Sequence, residues 1–154
     1  MPKNSRLVIV ICTYNRSRML IETLKSLYAS GYSGPDSIDI VVVINHCKDD
    51  TLAQLKLFKA HHSQDVLTLN WLEEPRPGKS FALNTAIAQT DQQYLCFIDD
   101  DQIVKTGFIE HLLHGIIQYP NDSIFCGRIW PAWDGSQPSW VHAEEPYKIP
   151  IRPF

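Results

Sequence analysis

The sequence predicts an α/β domain built on a mostly parallel sheet flanked by helices, and three observations carry that expectation. Apolar runs rich in valine and isoleucine alternate with segments whose apolar residues recur at helical spacing. Strand and helix taken in turn are the pattern of βαβ units with right-handed crossovers. The length of 154 residues suits one domain with a single core, and 44% hydrophobic with 20% charged residues is an ordinary globular balance.

The first strand is expected over residues 7–12, a continuous apolar run with Val8, Ile9, Val10 and Ile11 at its centre, as a strand buried on both faces requires. Residues 18–30 carry Leu20, Leu24, Leu27 and Tyr28 on one helical stripe, broken by Gly31, Gly34 and Pro35. A valine-rich strand follows over 38–44, then a helix over 51–62 with Leu52, Leu55 and Phe58 on one side. Residues 66–72 alternate apolar and polar and read as a strand nearer an edge. A short helix over 80–89, a strand over 94–98 and an amphipathic helix over 106–118 come next, with a fifth strand expected over 123–130. No internal repeat or low-complexity segment interrupts the series.

Charge and composition exclude several classes. A net charge of −3 and a pI of about 6.0 give no basic surface for nucleic acid or anionic lipid. Cys12, Cys47, Cys96 and Cys126 form no C-x-x-C pair, and three of them lie in apolar runs. They read as reduced, buried thiols of a cytoplasmic protein, with peripheral contact at a membrane left open. Residues 1–6 are polar without a signal-peptide core, and no apolar run nears the ~18 residues a transmembrane segment needs. The tail differs from the body: Pro131, Pro138, Pro146, Pro150 and Pro153 crowd there with Trp130, Trp133 and Trp140. The expected division is therefore 1–130 as the folded part and 131–154 as the start of something further.

Ligands of open α/β sheets bind at the carboxyl ends of the strands. After the first strand stand Thr13, Tyr14, Asn15 and Arg16; after the second, Asn45, His46, Cys47, Lys48, Asp49 and Asp50. After the third come Glu73, Glu74, Pro75, Arg76, Pro77, Gly78 and Lys79, and after the fourth Asp99, Asp100 and Asp101. Three adjacent carboxylates at a buried strand's end repel one another unless a cation compensates. Oxygen ligands favour Mg²⁺ or Mn²⁺, which share their other positions with substrate phosphates. Gly78, Lys79 and Ser80 open a helix where amides and an ammonium can meet an anion, with an ordinary helix start as the plain alternative, and Arg16 and Arg76 are further candidates for phosphate contact or plain surface charges. A solvated acidic turn is the plain alternative for the aspartates. A zinc site from His46, Cys47, Asp49 and Asp50 lacks a second ligand cluster.

In this order the segments 8–16, 41–51, 78–88 and 97–101, with the later 126–131, resemble the family 2 glycosyltransferases of the GT-A fold. The resemblance implies a nucleotide-diphospho-sugar donor and an acceptor that is a carbohydrate or a lipid-linked group. Thr13, Tyr14, Asn15 and Arg16 would line the nucleotide, with Thr13 and Tyr14 at the base. Lys79 would lie on the phosphate side, and Asn84 matches the family's helix asparagine. Asp99 would face the ribose or sugar and join the metal set. Asp101 would hold the Mn²⁺ or Mg²⁺ that bridges the diphosphate, with Asp100 in support. Many members end the second strand with an aspartate that contacts the base; Ile44 stands there, leaving Asn45 as the substitute.

An inverting transfer needs a general base, which the family carries in its acceptor-binding half. Only Asp134, Glu144 and Glu145 follow Asp122, and Glu144 and Glu145 between His142 and Pro146 are weak candidates. The chain is thus expected to be truncated, the front of a donor-binding domain whose acceptor half is missing or supplied by an oligomeric partner. A non-catalytic nucleotide-sugar-binding module completed by another chain is the second reading. A receiver-type phosphoryl-transfer protein is the third, and Thr13, Tyr14 and Asn15 stand where that class carries aspartate.

Overall fold

A computed structural model describes residues 7–62, 65–122, 124–133 and 135. Eight elements follow one another: β1 (Leu7–Thr13), α1 (Ser17–Tyr28), β2 (Ile38–Asn45), α2 (Thr51–His61), β3 (Leu67–Glu74), α3 (Lys79–Gln89), β4 (Tyr94–Asp99) and α4 (Phe108–Gln118). The four strands form one parallel sheet in the order β3-β2-β1-β4. β3 is an edge strand, as its alternation predicts, and it runs on to Glu74.

Both faces of the sheet are covered, which explains why β1 and β2 are apolar at nearly every position. Leu7, Ile9, Ile11, Ile38, Ile40, Val42 and Ile44 point to one face, where Leu20, Leu24 and Leu27 of α1, Leu55 and Phe58 of α2 and Ile109 of α4 complete the core. Val8, Val10, Val41 and Val43 point to the other, covered by Ala82 and Ala86 of α3. The small alanines let α3 lie close to the valines. The chain steps outward from β1 to β3 along one face, then returns to β4 by way of α3 on the opposite face. A constant hand of crossover demands that exchange, and it places the switch in strand order between β1 and β4.

Loops fix the helix starts. Asp49 uses one carboxylate oxygen to accept from the Ser17 amide at the start of α1 (3.3 Å) and the other to accept from the Thr51 amide at the start of α2 (3.2 Å). One side chain thus satisfies an end of two helices, a use the sequence does not announce. α4 begins after Gly107, whose φ of +79° suits glycine and ends the preceding turn later than expected.

Residues 1–120 form one compact unit and residues 121–154 a second. The described residues of the second unit carry no helix or strand, so the fifth strand expected over 123–130 does not form among them. Its apolar run is cut by Gly127 and Arg128, and no described strand pairs with it to take up its backbone groups. That also corrects the reading of Cys126 as a buried thiol: it is exposed, while Cys12, Cys47 and Cys96 are half-buried, and all four are free. Among the described residues no helix is long and apolar enough to cross a membrane.

Candidate functional site

The register carries the strand ends to one edge. Thr13 lies beside Ile44, Cys12 beside Asp99, and Asn45 beside Glu74. At the switch between β1 and β4 these ends enclose a cavity of about 240 Å³, where the topology of an open α/β sheet places a ligand. Its lining is Cys12, Thr13, Tyr14, Arg16, Asn45, Lys79, Asp99, Asp100 and Asp101. Most residues singled out from sequence therefore meet in one place, drawn from the ends of β1, β2 and β4 and the start of α3.

The three aspartates take different roles. Asp100 is buried; one of its oxygens accepts from the Thr13 hydroxyl (2.8 Å) and the other from Arg16 (3.3 Å), while its carbonyl accepts from Thr23 (2.9 Å). Asp99 and Asp101 are half-exposed and open to the cavity. Lys79 pairs with Asp99, and Arg16 reaches Asp101 at 3.4 Å. The repulsion among adjacent carboxylates is thus met within the chain itself, by an ammonium and a guanidinium. Three carboxylates against two cations leave one net negative charge at the cavity mouth.

These groups perturb their neighbours. The hydrogen bond to Asp99 raises the Lys79 pKa, and it stays protonated. Burial pushes the Cys12 thiol up to about 11, with the Lys79 charge opposing it and Asp100 and Asp99 adding to it. Cys12 is therefore a neutral thiol in the cavity wall and no nucleophile at neutral pH.

Other expected residues stand further back. Asn15, at φ +52°, accepts from the Lys48 amide through its side chain (2.7 Å) and donates its own amide to the Cys47 sulfur (3.2 Å). It ties the first loop to the second and does not line the cavity. Asn84 is exposed on α3, also outside the lining. Arg76, read as a phosphate contact, instead grips Glu74 and lies over the Phe81 ring at 4.7 Å. Ile44 is buried in the core and is not among the residues lining the cavity. Glu144, Glu145 and Trp140 lie outside the described residues. Glu74 stood out in the sequence only as one of the polar residues after the third strand, and its buried role did not, because a glutamate ending an edge strand is usually solvated.

A divalent cation fits this site only in company. Among the described residues no group of three or more His, Cys, Asp or Glu side chains is placed to hold one. Asp99 and Asp101 offer two carboxylates, the number Mg²⁺ takes when substrate phosphates supply further oxygens.

Comparison with known proteins places the chain in a family and a fold. The family model described as glycosyl transferase family 2 matches residues 8–153. Glycosyltransferase GlyA of Streptococcus pneumoniae serotype 4 is 26% identical over 119 residues, which are 77% of this chain and 16% of that protein. The succinoglycan biosynthesis protein ExoM of Rhizobium meliloti is 28% identical over 105 residues, 68% of this chain and 33% of that one. The chain thus spans a third or less of the length of these curated relatives. Among solved structures, S. aureus TarS 1-349 in complex with UDP-GlcNAc aligns with a TM-score of 0.64 at 21% identity, over 82% of this chain and 37% of that one. The mannosyltransferase PcManGT of Pyrobaculum calidifontis, in complex with GDP-Man and Mn²⁺, aligns at 0.63 and 24% identity, over 76% and 32%. At such identities the likeness shows a shared fold.

Proposed function

The chain belongs to glycosyl transferase family 2, and from that premise we propose that it is the donor-binding part of a transferase moving a sugar from a nucleotide-diphospho-sugar to an acceptor hydroxyl, with inversion. The observation that carries this reading is the meeting of Lys79 and Arg16 with Asp99 and Asp101 in one cavity at the strand switch. A diphosphate there replaces the aspartates as partner of the two basic side chains. The freed carboxylates of Asp99 and Asp101 would hold Mg²⁺ or Mn²⁺, which would supply positive charge to offset that on the departing nucleotide diphosphate.

The remaining steps belong to side chains. Thr13 and Tyr14 line the nucleotide end; Ile44 is committed to the core, and Asn45, whose side-chain amide and oxygen already hold the turn after β3, offers a base only the remaining lone pair of that oxygen. Lys79 and Arg16 orient the diphosphate so that the acceptor oxygen approaches the anomeric carbon in line with the leaving oxygen. The donor titration that tests this uses calorimetry on the whole chain, with uridine and guanosine diphospho-sugars, with and without Mn²⁺. Binding that requires Mn²⁺ supports the reading; a folded sample that binds none of them overturns it.

One observation favours a second reading. Each carboxylate lining the cavity is engaged, Asp100 by Thr13 and Arg16, Asp99 by Lys79, and Asp101 by Arg16. None is left as a general base for the acceptor proton. A nucleotide-sugar-binding module completed by another chain has this arrangement, and it would bind donor without transferring or hydrolysing the sugar. Either role suits the cytoplasm, where free thiols persist.

A further inference from the structure

We propose that Glu74 is a positioning residue: a buried carboxylate that holds the turn between β3 and α3 in the shape from which Lys79 reaches the cavity. The proposal rests on the donor reading above, since it assigns Lys79 to the diphosphate.

A glutamate at the end of an edge strand ordinarily keeps its charge in water. Glu74 is instead only 3% exposed. One of its carboxylate oxygens accepts from the amide and the Nε of Arg76, each at 2.8 Å. The other accepts from Arg76 Nη2 at 2.7 Å and from the Thr85 hydroxyl at 2.5 Å. The carboxylate therefore joins the end of β3, the turn and the middle of α3 through one group.

The rest of the turn is tied down from β2. The Asn45 side-chain amide donates to the carbonyls of Glu74 (3.2 Å) and Arg76 (2.7 Å), and its oxygen accepts from the Gly78 amide (2.8 Å). His46 donates its backbone amide to the Glu74 carbonyl at 2.8 Å. Pro75 and Pro77 remove two donors and narrow the backbone. Gly78 then turns at φ +132°, which favours glycine, and Lys79 starts α3 with its ammonium on Asp99. No regular backbone ladder sets this turn. Its shape is set by the Glu74 and Asn45 side chains, with the His46 ring nitrogen Nδ1 on the Pro75 carbonyl at 2.9 Å, and the direction of Lys79 follows from it.

Neutral Glu74→Gln presents an amide NH2 where Arg76 offers only donors; the Thr85 hydroxyl can turn to accept, but at least one of the Arg76 contacts must break. Such a loss costs roughly tenfold in affinity when it misplaces one charged contact.

The test is a cycle of Glu74→Gln and Lys79→Ala, read by calorimetry with uridine and guanosine mono- and diphosphates in Mn²⁺. Glu74→Gln is expected to weaken the diphosphate of the base that binds by roughly tenfold and leave its monophosphate unchanged. The double variant is expected to be no weaker than Lys79→Ala alone, because Glu74 acts through Lys79. A purely structural role would weaken both nucleotides, or add in full to Lys79→Ala; either result overturns the proposal, as does an unchanged diphosphate affinity. If Glu74→Gln fails to fold, Thr85→Val decides, with a smaller loss confined to the diphosphate expected and equal affinities overturning it. A wild-type chain that binds neither diphosphate overturns the donor reading, and the role of Glu74 with it.

Discussion

The Thr13 hydroxyl donates to the Asp100 carboxylate at 2.8 Å across a separation of 87 residues, in a buried contact that fastens the end of β1 to the turn after β4. With Arg16 on the other oxygen, the middle aspartate of the triplet faces inward and its neighbours face the cavity. Thr13→Val removes the hydroxyl at constant shape and leaves the buried carboxylate short of a partner. A loss of roughly 1–3 kcal/mol of folding stability is expected, measured by urea unfolding. Unchanged stability would show that Asp100 holds its place without Thr13.

Asp101 stands in the opposite situation. It is half-exposed and meets only Arg16, at 3.4 Å, among the ion pairs of the cavity. Surface pairs of this kind contribute about 0–1 kcal/mol, so Asp101→Ala is expected to keep the melting temperature within a few degrees of wild type. Donor binding that requires Mn²⁺ is expected to be lost. A variant that binds donor with wild-type affinity and Mn²⁺ dependence would move the cation elsewhere.

How much of this could be read beforehand differs from element to element. β1 and β2 were legible because burial on both faces leaves Asp39 as the one polar position inside either run, and the strand ends then marked the cavity through Thr13, Asn45, Lys79 and Asp99. Arg76 was legible as a charge and not as a contact, since nothing in its spacing tells whether its guanidinium faces ligand or Glu74. Glu74 and Asp49 were legible as strand-end carboxylates and not in their roles, which depend on amides and hydroxyls brought near by the fold. The strand expected over 123–130 failed because pairing belongs to the sheet and not to the apolar run alone.

Lys79 binds Asp99 in the free protein and is assigned to the diphosphate when donor is present. One substitution should therefore act in two directions. Lys79→Ala frees the Asp99 carboxylate, and affinity for Mn²⁺ alone is expected to rise roughly two- to fivefold, the scale of an exposed ion pair. Affinity for the nucleoside diphosphate is expected to fall. Electron paramagnetic resonance of free Mn²⁺ and calorimetry read the two separately. A fall in both would mean that Lys79 supports the site in some way other than by neutralising Asp99.

Acid should reveal the same turn from the side of Glu74. The Arg76 guanidinium, with the Thr85 hydroxyl and the Arg76 amide behind it, holds the Glu74 carboxyl at a pKa of about 2 against an ordinary value of 4.5. The folded chain therefore binds fewer protons at this group than the unfolded chain between those values. Stability from the group is complete above pH 4.5 and drains away as the pH falls toward 2. Glu74→Gln carries no such proton. The difference in unfolding free energy between wild type and Glu74→Gln is thus expected to be constant from neutral pH down to about pH 4.5 and to shrink below it. Urea unfolding of both proteins across that range measures it. A difference that stays constant down to pH 2 would mean that the Arg76 contact exerts no preference for the charged carboxylate.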